Sequence, residues 1–158
     1  MGIKSFQGPR AKDRKTPTKG TEQKVKVADH MTRKLITLGP NQTLLDVMEI
    51  YLKHKITGAP VVDEDGTLIG IISDSDCMKQ ISEGRYFNMP IADLTVEKFM
   101  TRDVETISGE ATVFDAAARF FKTRHRRFPV VEGGRLVGQI SRKDVMEAAM
   151  KLNGQDWH

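Results

Sequence analysis

The feature that most constrains this chain is that its second half rewrites its first. The stretch "HMTRKLITLGPNQTLLDVMEIYLKHKITGAPVVDEDGTLIGIISDSDCMKQ" lies over "FMTRDVETISGEATVFDAAARFFKTRHRRFPVVEGGRLVGQISRKDVMEAA". Met31-Thr32-Arg33 meets Met100-Thr101-Arg102, Thr37 meets Thr106, Thr43 and Asp46 meet Thr112 and Asp115, and Pro60-Val61-Val62 meets Pro129-Val130-Val131. After a one-residue contraction in the turn, Gly70, Ser73 and Asp76 meet Gly138, Ser141 and Asp144. A repeat of roughly 70 residues is one supersecondary unit, too small to bury its apolar face alone, so the two copies must share a single packed domain.

Each copy reads locally as strand, helix, strand, strand, helix. Leu35 to Leu38 is a short extended segment closed by Gly39-Pro40, and Thr43 with Asp46 then has capping-box spacing. Leu44, Met48, Tyr51 and Leu52 follow at helical intervals and predict one buried face; Val113, Ala117, Phe120 and Phe121 predict the same in the second copy. Val61-Val62, the turn "DEDG" and Leu68 to Ile72 predict a hairpin, and a helix from about Ser75 to Ser82 completes the unit. The expected fold class is mixed α/β (α+β), with two pseudo-twofold-related β-α-β-β-α repeats packed sheet to sheet. The expected division is a basic flexible arm over 1–24, the repeats at 25–84 and 95–150, a linker at 85–94 and a tail at 151–158.

Charge and composition narrow the function. Residues 1–24 hold seven Lys or Arg against two acids, whereas the rest of the chain holds 18 basic and 19 acidic side chains. The basic excess therefore belongs to the arm, and no nucleic-acid-binding surface is expected on the folded body. Without interleaved aromatic residues the arm has no base-stacking platform. No apolar run approaches the roughly 18 residues of a membrane span, and the N-terminus lacks the apolar core of a secretory signal; a soluble, cytoplasmic protein without membrane contact is expected. The single cysteine, Cys77, excludes an internal disulfide and a thiolate-rich zinc site, and its apolar neighbours predict a buried, inert thiol. His30, His54, His125 and His158 lack short metal-ligand spacing and pair with no nucleophile, so neither a metal site nor a catalytic residue is expected. Met48, Met78 and Met146 fall on apolar faces and are expected in the core.

The motif written twice is Ser-x-x-Asp at a strand-to-helix junction: Ser73 with Asp76, and Ser141 with Asp144. One reading is purely structural, with the Ser as N-cap and the Asp favouring the positive end of the helix dipole. The other uses the same geometry on a ligand: a helix N-terminus offers N–H groups to a phosphate, and a carboxylate one turn in accepts hydrogen bonds from ribose hydroxyls. The two readings are compatible.

The tandem order of elements, with "GAPVVDEDGTLIGIISDSD" and "RFPVVEGGRLVGQISRKD", resembles a pair of cystathionine-β-synthase (CBS) domains, a Bateman module, over about residues 27 to 150. The resemblance implies a regulatory protein without catalytic machinery, binding AMP, ADP, ATP or S-adenosylmethionine in two clefts between the repeats and dimerising as a flat disc. It implies ribose contacts from Asp76 and Asp144, and phosphate contacts from Ser73 and Ser141. It also mixes halves. Ser73 and Asp76 would face Glu105, Thr106, Ile107, Phe128 and Pro129, with His125, Arg126 and Arg127 as phosphate donors. Ser141 and Asp144 would face Ile36, Thr37, Leu38, Thr57, Gly58, Ala59 and Pro60, with Arg142 and Lys143 as the nearby cations. The strand and pre-proline residues would form the base slots. The expected partners are the nucleotide, a second copy of the chain and an unidentified effector protein, with no metal required. The alternative is a ligand-free dimerisation or adaptor module whose Ser-x-x-Asp units are only caps.

Overall fold

The computed structural model describes residues 25–154, so the arm expected over 1–24 and residues 155–158 of the tail lie outside the described residues. In chain order the elements are α1 (Val27–His30), α2 (Leu44–His54), β1 (Gly58–Val62), β2 (Leu68–Ser73), α3 (Asp74–Ser82) and α4 (Arg85–Asn88). A 3-10 turn at Ile91–Asp93 leads to α5 (Val96–Phe99), α6 (Val113–Lys122), β3 (Arg127–Glu132), β4 (Arg135–Ser141) and α7 (Arg142–Leu152). Both long helices start at the capping boxes read from the sequence. Thr43 N–H donates to Asp46 Oδ2 at 2.9 Å and Asp46 N–H to Thr43 Oγ1 at 3.2 Å; Thr112 and Asp115 repeat the exchange at 3.0 and 3.1 Å. Each box satisfies two backbone donors that a helix start leaves open, worth about 1 kcal/mol.

Each hairpin is antiparallel and bulged, with Gly58 opposite Ser73 in the first and Arg127 opposite Ser141 in the second. The leading strand of each repeat is shorter than expected. It is reduced to one bridging residue, Leu38 running parallel to Val61 and Ile107 parallel to Val130. Gly39-Pro40 and Ser108-Gly109 turn the chain immediately afterwards, so no further ladder can form.

The short helix that opens each repeat packs into the other repeat's core. Val27 of α1 joins Val113, Phe120, Phe128 and Ile140, whereas Val96 of α5 joins Leu44, Val47, Val61 and Ile72. Paired main-chain bonds fasten each exchange: Thr32 with Gln139 at 2.9 and 3.0 Å, and Thr101 with Ile71 at 2.8 and 2.9 Å. This exchange explains two repeated sequence signals at once. A Cβ on Gly70 would stand 2.5 Å from Met100 Sδ and 3.0 Å from the Thr101 carbonyl; on Gly138 it would stand 2.6 Å from Met31 Sδ and 3.0 Å from the Thr32 carbonyl. Repeated Gly and repeated Met-Thr are two halves of one close contact.

Two expectations about apolar side chains need correction. The buried stripe of α2 is Leu44, Val47 and Tyr51, and that of α6 is Val113, Ala116 and Phe120, while Leu52 is 82% and Phe121 93% exposed. At 3.6 residues per turn, Leu52 stands roughly 110° round the helix from the centre of that stripe. Met78 and Met146 also face solvent, at 57% and 61%, whereas Met48 packs on the first core as expected. Cys77 is buried, and burial first, then Asp76 and Asp74, push its thiol up to about 11, which fits an inert role. Among the described residues no helix is long and apolar enough to cross a membrane.

Candidate functional site

Both Ser-x-x-Asp motifs cap their helices. Ser73 N–H donates to Asp76 Oδ2 at 2.8 Å and the Ser73 hydroxyl approaches the same oxygen at 3.3 Å. Ser141 N–H donates to Asp144 Oδ2 at 2.9 Å, and Asp144 N–H returns a bond to Ser141 Oγ at 3.2 Å. In each case the caps use Oδ2, so Oδ1 is the oxygen left for a ligand. The helix start is also tied to the loop before its own hairpin: Asp74 N–H donates to the Thr57 carbonyl at 2.8 Å, and Arg142 N–H to the Arg126 carbonyl at 3.4 Å.

A cleft of about 370 Å³ opens between the start of α3 and the second repeat. Of the residues expected here it gathers Ser73, Asp76, Glu105, His125, Arg126, Arg127 and Pro129. It also takes Thr57 and Gly58, which were expected in the other cleft but sit beside the start of α3 through the Asp74 N–H to Thr57 carbonyl bond. The crossing of halves that the resemblance implied is thus present in the geometry: a capped helix start from one repeat faces a cationic loop from the other. Asp74, Thr101, Asp103, Val104 and Arg124 line it as well. The cleft is therefore mixed in charge, with carboxylates at 74, 76, 103 and 105 against cations at 124, 126 and 127 and the His125 imidazole.

Much of this charge is already matched. Glu105 accepts from Arg119 at 3.0 Å and lies 3.0 Å from His125 Nε2. The Arg119 hydrogen bond, followed by the Arg119 and His125 charges, holds the Glu105 carboxyl below the usual carboxylate range. Arg119 also donates to the Thr106 carbonyl at 2.7 Å and lies over the Phe128 ring at 4.6 Å. Arg127 donates to the Gly58 carbonyl at 3.0 Å and to Thr57 Oγ1 at 3.2 Å. Arg124 and Arg126 make no ion pair among the described residues, which leaves them as the cations available to an anion.

The matching place in the other half is smaller. A cleft of about 200 Å³ is lined by Ile36, Gly58 and Pro60 from the expected set, with Thr32, Lys34, Leu35, Ile56, Arg127 and Gln139. Ser141, Arg142, Lys143 and Asp144 line neither cleft. The Arg142 guanidinium folds back on the end of α6, donating to the carbonyls of His125 at 2.9 Å, Thr123 at 3.2 Å and Phe120 at 3.3 Å. There it serves the negative end of a helix. Lys143 lies 3.8 Å from Glu147.

Several base-slot candidates sit behind the clefts. Leu38, Ala59, Ile107 and Phe128 are buried in the two cores, and Thr37 and Thr106 line neither cleft. The register moves the lining toward the N-terminal side: Ile107 is anchored in the core beside Val130, so residues 101 and 103–105 reach the cleft in its place. The repeated "MTR" ahead of each extended segment was the available signal for this shift, since it marks where that segment begins to be structured. No group of His, Cys, Asp or Glu among the described residues is arranged to hold a metal ion.

Known proteins share this arrangement. The CBS domain family model matches residues 27–83 and 96–151, one match per repeat. The protein MJ1426 of Methanocaldococcus jannaschii is 32% identical, over 77% of this chain and 89% of its own. A crystal structure of CBSX2 in complex with AMP superposes with a TM-score of 0.73 at 30% identity, covering 82% of this chain and 98% of that one; CBSX2 is a chloroplastic protein of Arabidopsis thaliana. The CBS domain pair of MJ0100, in complex with methylthioadenosine and S-adenosyl-L-methionine, superposes with a TM-score of 0.65 at 30% identity over 82% of this chain and 95% of that one. With both repeats matched and the crossed cleft between them, the chain belongs to the CBS domain family as a tandem CBS pair.

Proposed function

We propose that this CBS pair is a regulatory protein that binds an adenine nucleotide, AMP, ADP or ATP, in the cleft between α3 and the Arg124–Pro129 segment. S-adenosylmethionine is a further candidate, on the analogy of MJ0100. The observation that carries the reading is that Asp76 and Arg126 come from opposite repeats yet line one cleft. Asp76 Oδ1 accepts from the ribose hydroxyls. Ser73 and the N-terminus of α3 face the phosphates together with Arg124 and Arg126. The apolar wall at Val104, Ile71 and Pro129 takes the base. The AMP held by CBSX2 and the adenosine ligands held by MJ0100 support this ligand class.

Because the two walls belong to different repeats, occupancy favours one relative pose of the repeats over another, and an effector protein reads that difference. The chain acts as a homodimer and as a binding module with no catalytic step of its own. Titration calorimetry with AMP, ADP, ATP and S-adenosylmethionine tests the reading. Binding of at least one at micromolar concentration is expected; no binding below millimolar concentration overturns it.

A ligand-free dimerisation module is the second reading. It is favoured by the caps themselves, because the observed bonds account for both Ser-x-x-Asp motifs without a nucleotide. It predicts a stable dimer that no adenosine compound affects.

A further inference from the structure

The two hairpins differ at one matched position next to the candidate sites. The residue opposite the capping Ser is Gly58 in the first and Arg127 in the second. Gly58 has no side chain to place in the cleft. Arg127 sends its guanidinium across the pseudo-twofold to the Gly58 carbonyl at 3.0 Å and Thr57 Oγ1 at 3.2 Å. Gly58 and Arg127 line both clefts, whereas Thr57 lines the first. In the second cleft Arg127 thus joins its own strand to Gly58 on the opposite wall, hydrogen-bonded at the far end.

The cavities have the shapes this predicts. The first reaches the helix start, with Ser73, Asp74, Ser75 and Asp76 all lining it, whereas the second contains none of Ser141, Arg142, Lys143 and Asp144. At about 370 Å³ the first falls within the usual range for a small-molecule site, roughly 300 to 1,000 Å³; at about 200 Å³ the second falls short of it. The half-buried guanidinium must also give up two hydrogen bonds before a ligand can take its place.

We infer that Arg127 closes the second cleft and limits each chain to one nucleotide, held at Asp76; this rests on the adenine-nucleotide reading above. Arg127 is thereby an occupancy-determining residue and not a phosphate ligand. A sequence with the Ser-x-x-Asp motif intact twice has one working site.

The test is the stoichiometry of AMP binding to the full chain by titration calorimetry, with circular dichroism as a check on folding. The wild type is expected to take a single AMP, and Asp76→Ala to bind it about 10- to 150-fold more weakly. Arg127→Gly, which copies the first repeat's residue, is expected to admit a second AMP, and adding Asp144→Ala to that variant to remove it again. Arg127→Ala gives the same readout while keeping a Cβ, should the glycine loosen β3. A wild type that takes two AMP overturns the inference, as does undiminished affinity in Asp76→Ala. Folded Arg127 variants that still take a single AMP overturn it too. If AMP binds neither the wild type nor any variant, the adenine-nucleotide reading fails and the inference falls with it, an outcome distinct from a site count that is wrong.

Discussion

Asp76 is where the helix cap and the proposed ribose contact meet on one side chain, and a substitution separates them. Loss of a carboxylate that accepts ribose hydroxyls should weaken nucleotide binding by about 10- to 150-fold, from roughly 1.5 to 3 kcal/mol. Loss of the cap alone costs about 1 kcal/mol of stability and leaves affinity unchanged. Asp76→Ala should therefore show both effects, read by calorimetry and by thermal melting; a stability loss with full affinity would assign the motif to capping only. Glu105 gives a pH test. Its carboxyl is held below its ordinary value of 4.5, chiefly by the Arg119 hydrogen bond, so the ionised form favours the fold. That contribution is complete above 4.5 and is lost as the pH falls through the depressed folded value. The melting temperature of Glu105→Gln should lie below the wild type's at neutral pH, and the gap should close in acid. A gap that widens in acid contradicts the assignment. Such residue roles were only half legible in the sequence. The cluster at 124–127 announced cations, but which are spent on Thr57, Gly58 and Glu105 depends on contacts between residues far apart in the chain.

At the scale of elements, the repeated hairpins and capped helices were legible because their signals are local: a Gly-bearing turn between β-branched runs, and Thr or Ser three residues before Asp. The exchange of α1 and α5 was not legible. Four-residue helices carry too little periodicity to show a buried face, and nothing in "VADH" or "VEKF" says which repeat's core it joins. The faces of α2 and α6 were misjudged for a related reason, since Leu52 and Phe121 extend the apolar pattern past the stripe that the hairpins actually cover. The exchange has a direct test. Gly70→Ala pushes a methyl to 2.5 Å from Met100 Sδ, and overpacking of this kind costs about 1 to 3 kcal/mol. Shortening the sulfur side chain relieves most of the clash, so Met100→Ala should cost less in the Gly70→Ala background than in the wild type, a non-additivity that denaturant melts resolve. Simple additivity would mean that the two residues do not touch.

For the whole molecule, four of the eight large apolar residues exposed among the described residues form two matched pairs. Leu52 and Phe121 occupy corresponding positions on α2 and α6, and Met78 and Met146 occupy corresponding positions on α3 and α7. A face that shows the same apolar positions from both repeats is suited to a twofold contact that reuses one patch. Light scattering at micromolar concentration should give about twice 17.8 kDa, and Met78→Lys with Met146→Lys should return the monomer mass. A wild type that is monomeric throughout that range contradicts the dimer.

Occupancy should also be visible in the stability of the whole fold, because the cleft exists only when both repeats are packed. A ligand that binds the folded state alone adds about 2.7 kcal/mol at 100 times its dissociation constant, and at this chain length each kcal/mol moves the melting temperature by roughly 2 to 4 °C. One bound nucleotide should therefore raise it by about 5 to 10 °C, and a second site filled in parallel would about double the rise. The size of the shift thus reports the number of working clefts as well as binding itself. Wild type should show the rise of a single site, Asp76→Ala a lower starting temperature and a rise cut to about half or less, and Arg127→Gly a rise larger than the wild type's at concentrations that saturate both clefts. A full rise in Asp76→Ala would place the nucleotide away from α3, and the ribose assignment would fall while the fold and the CBS pairing stood.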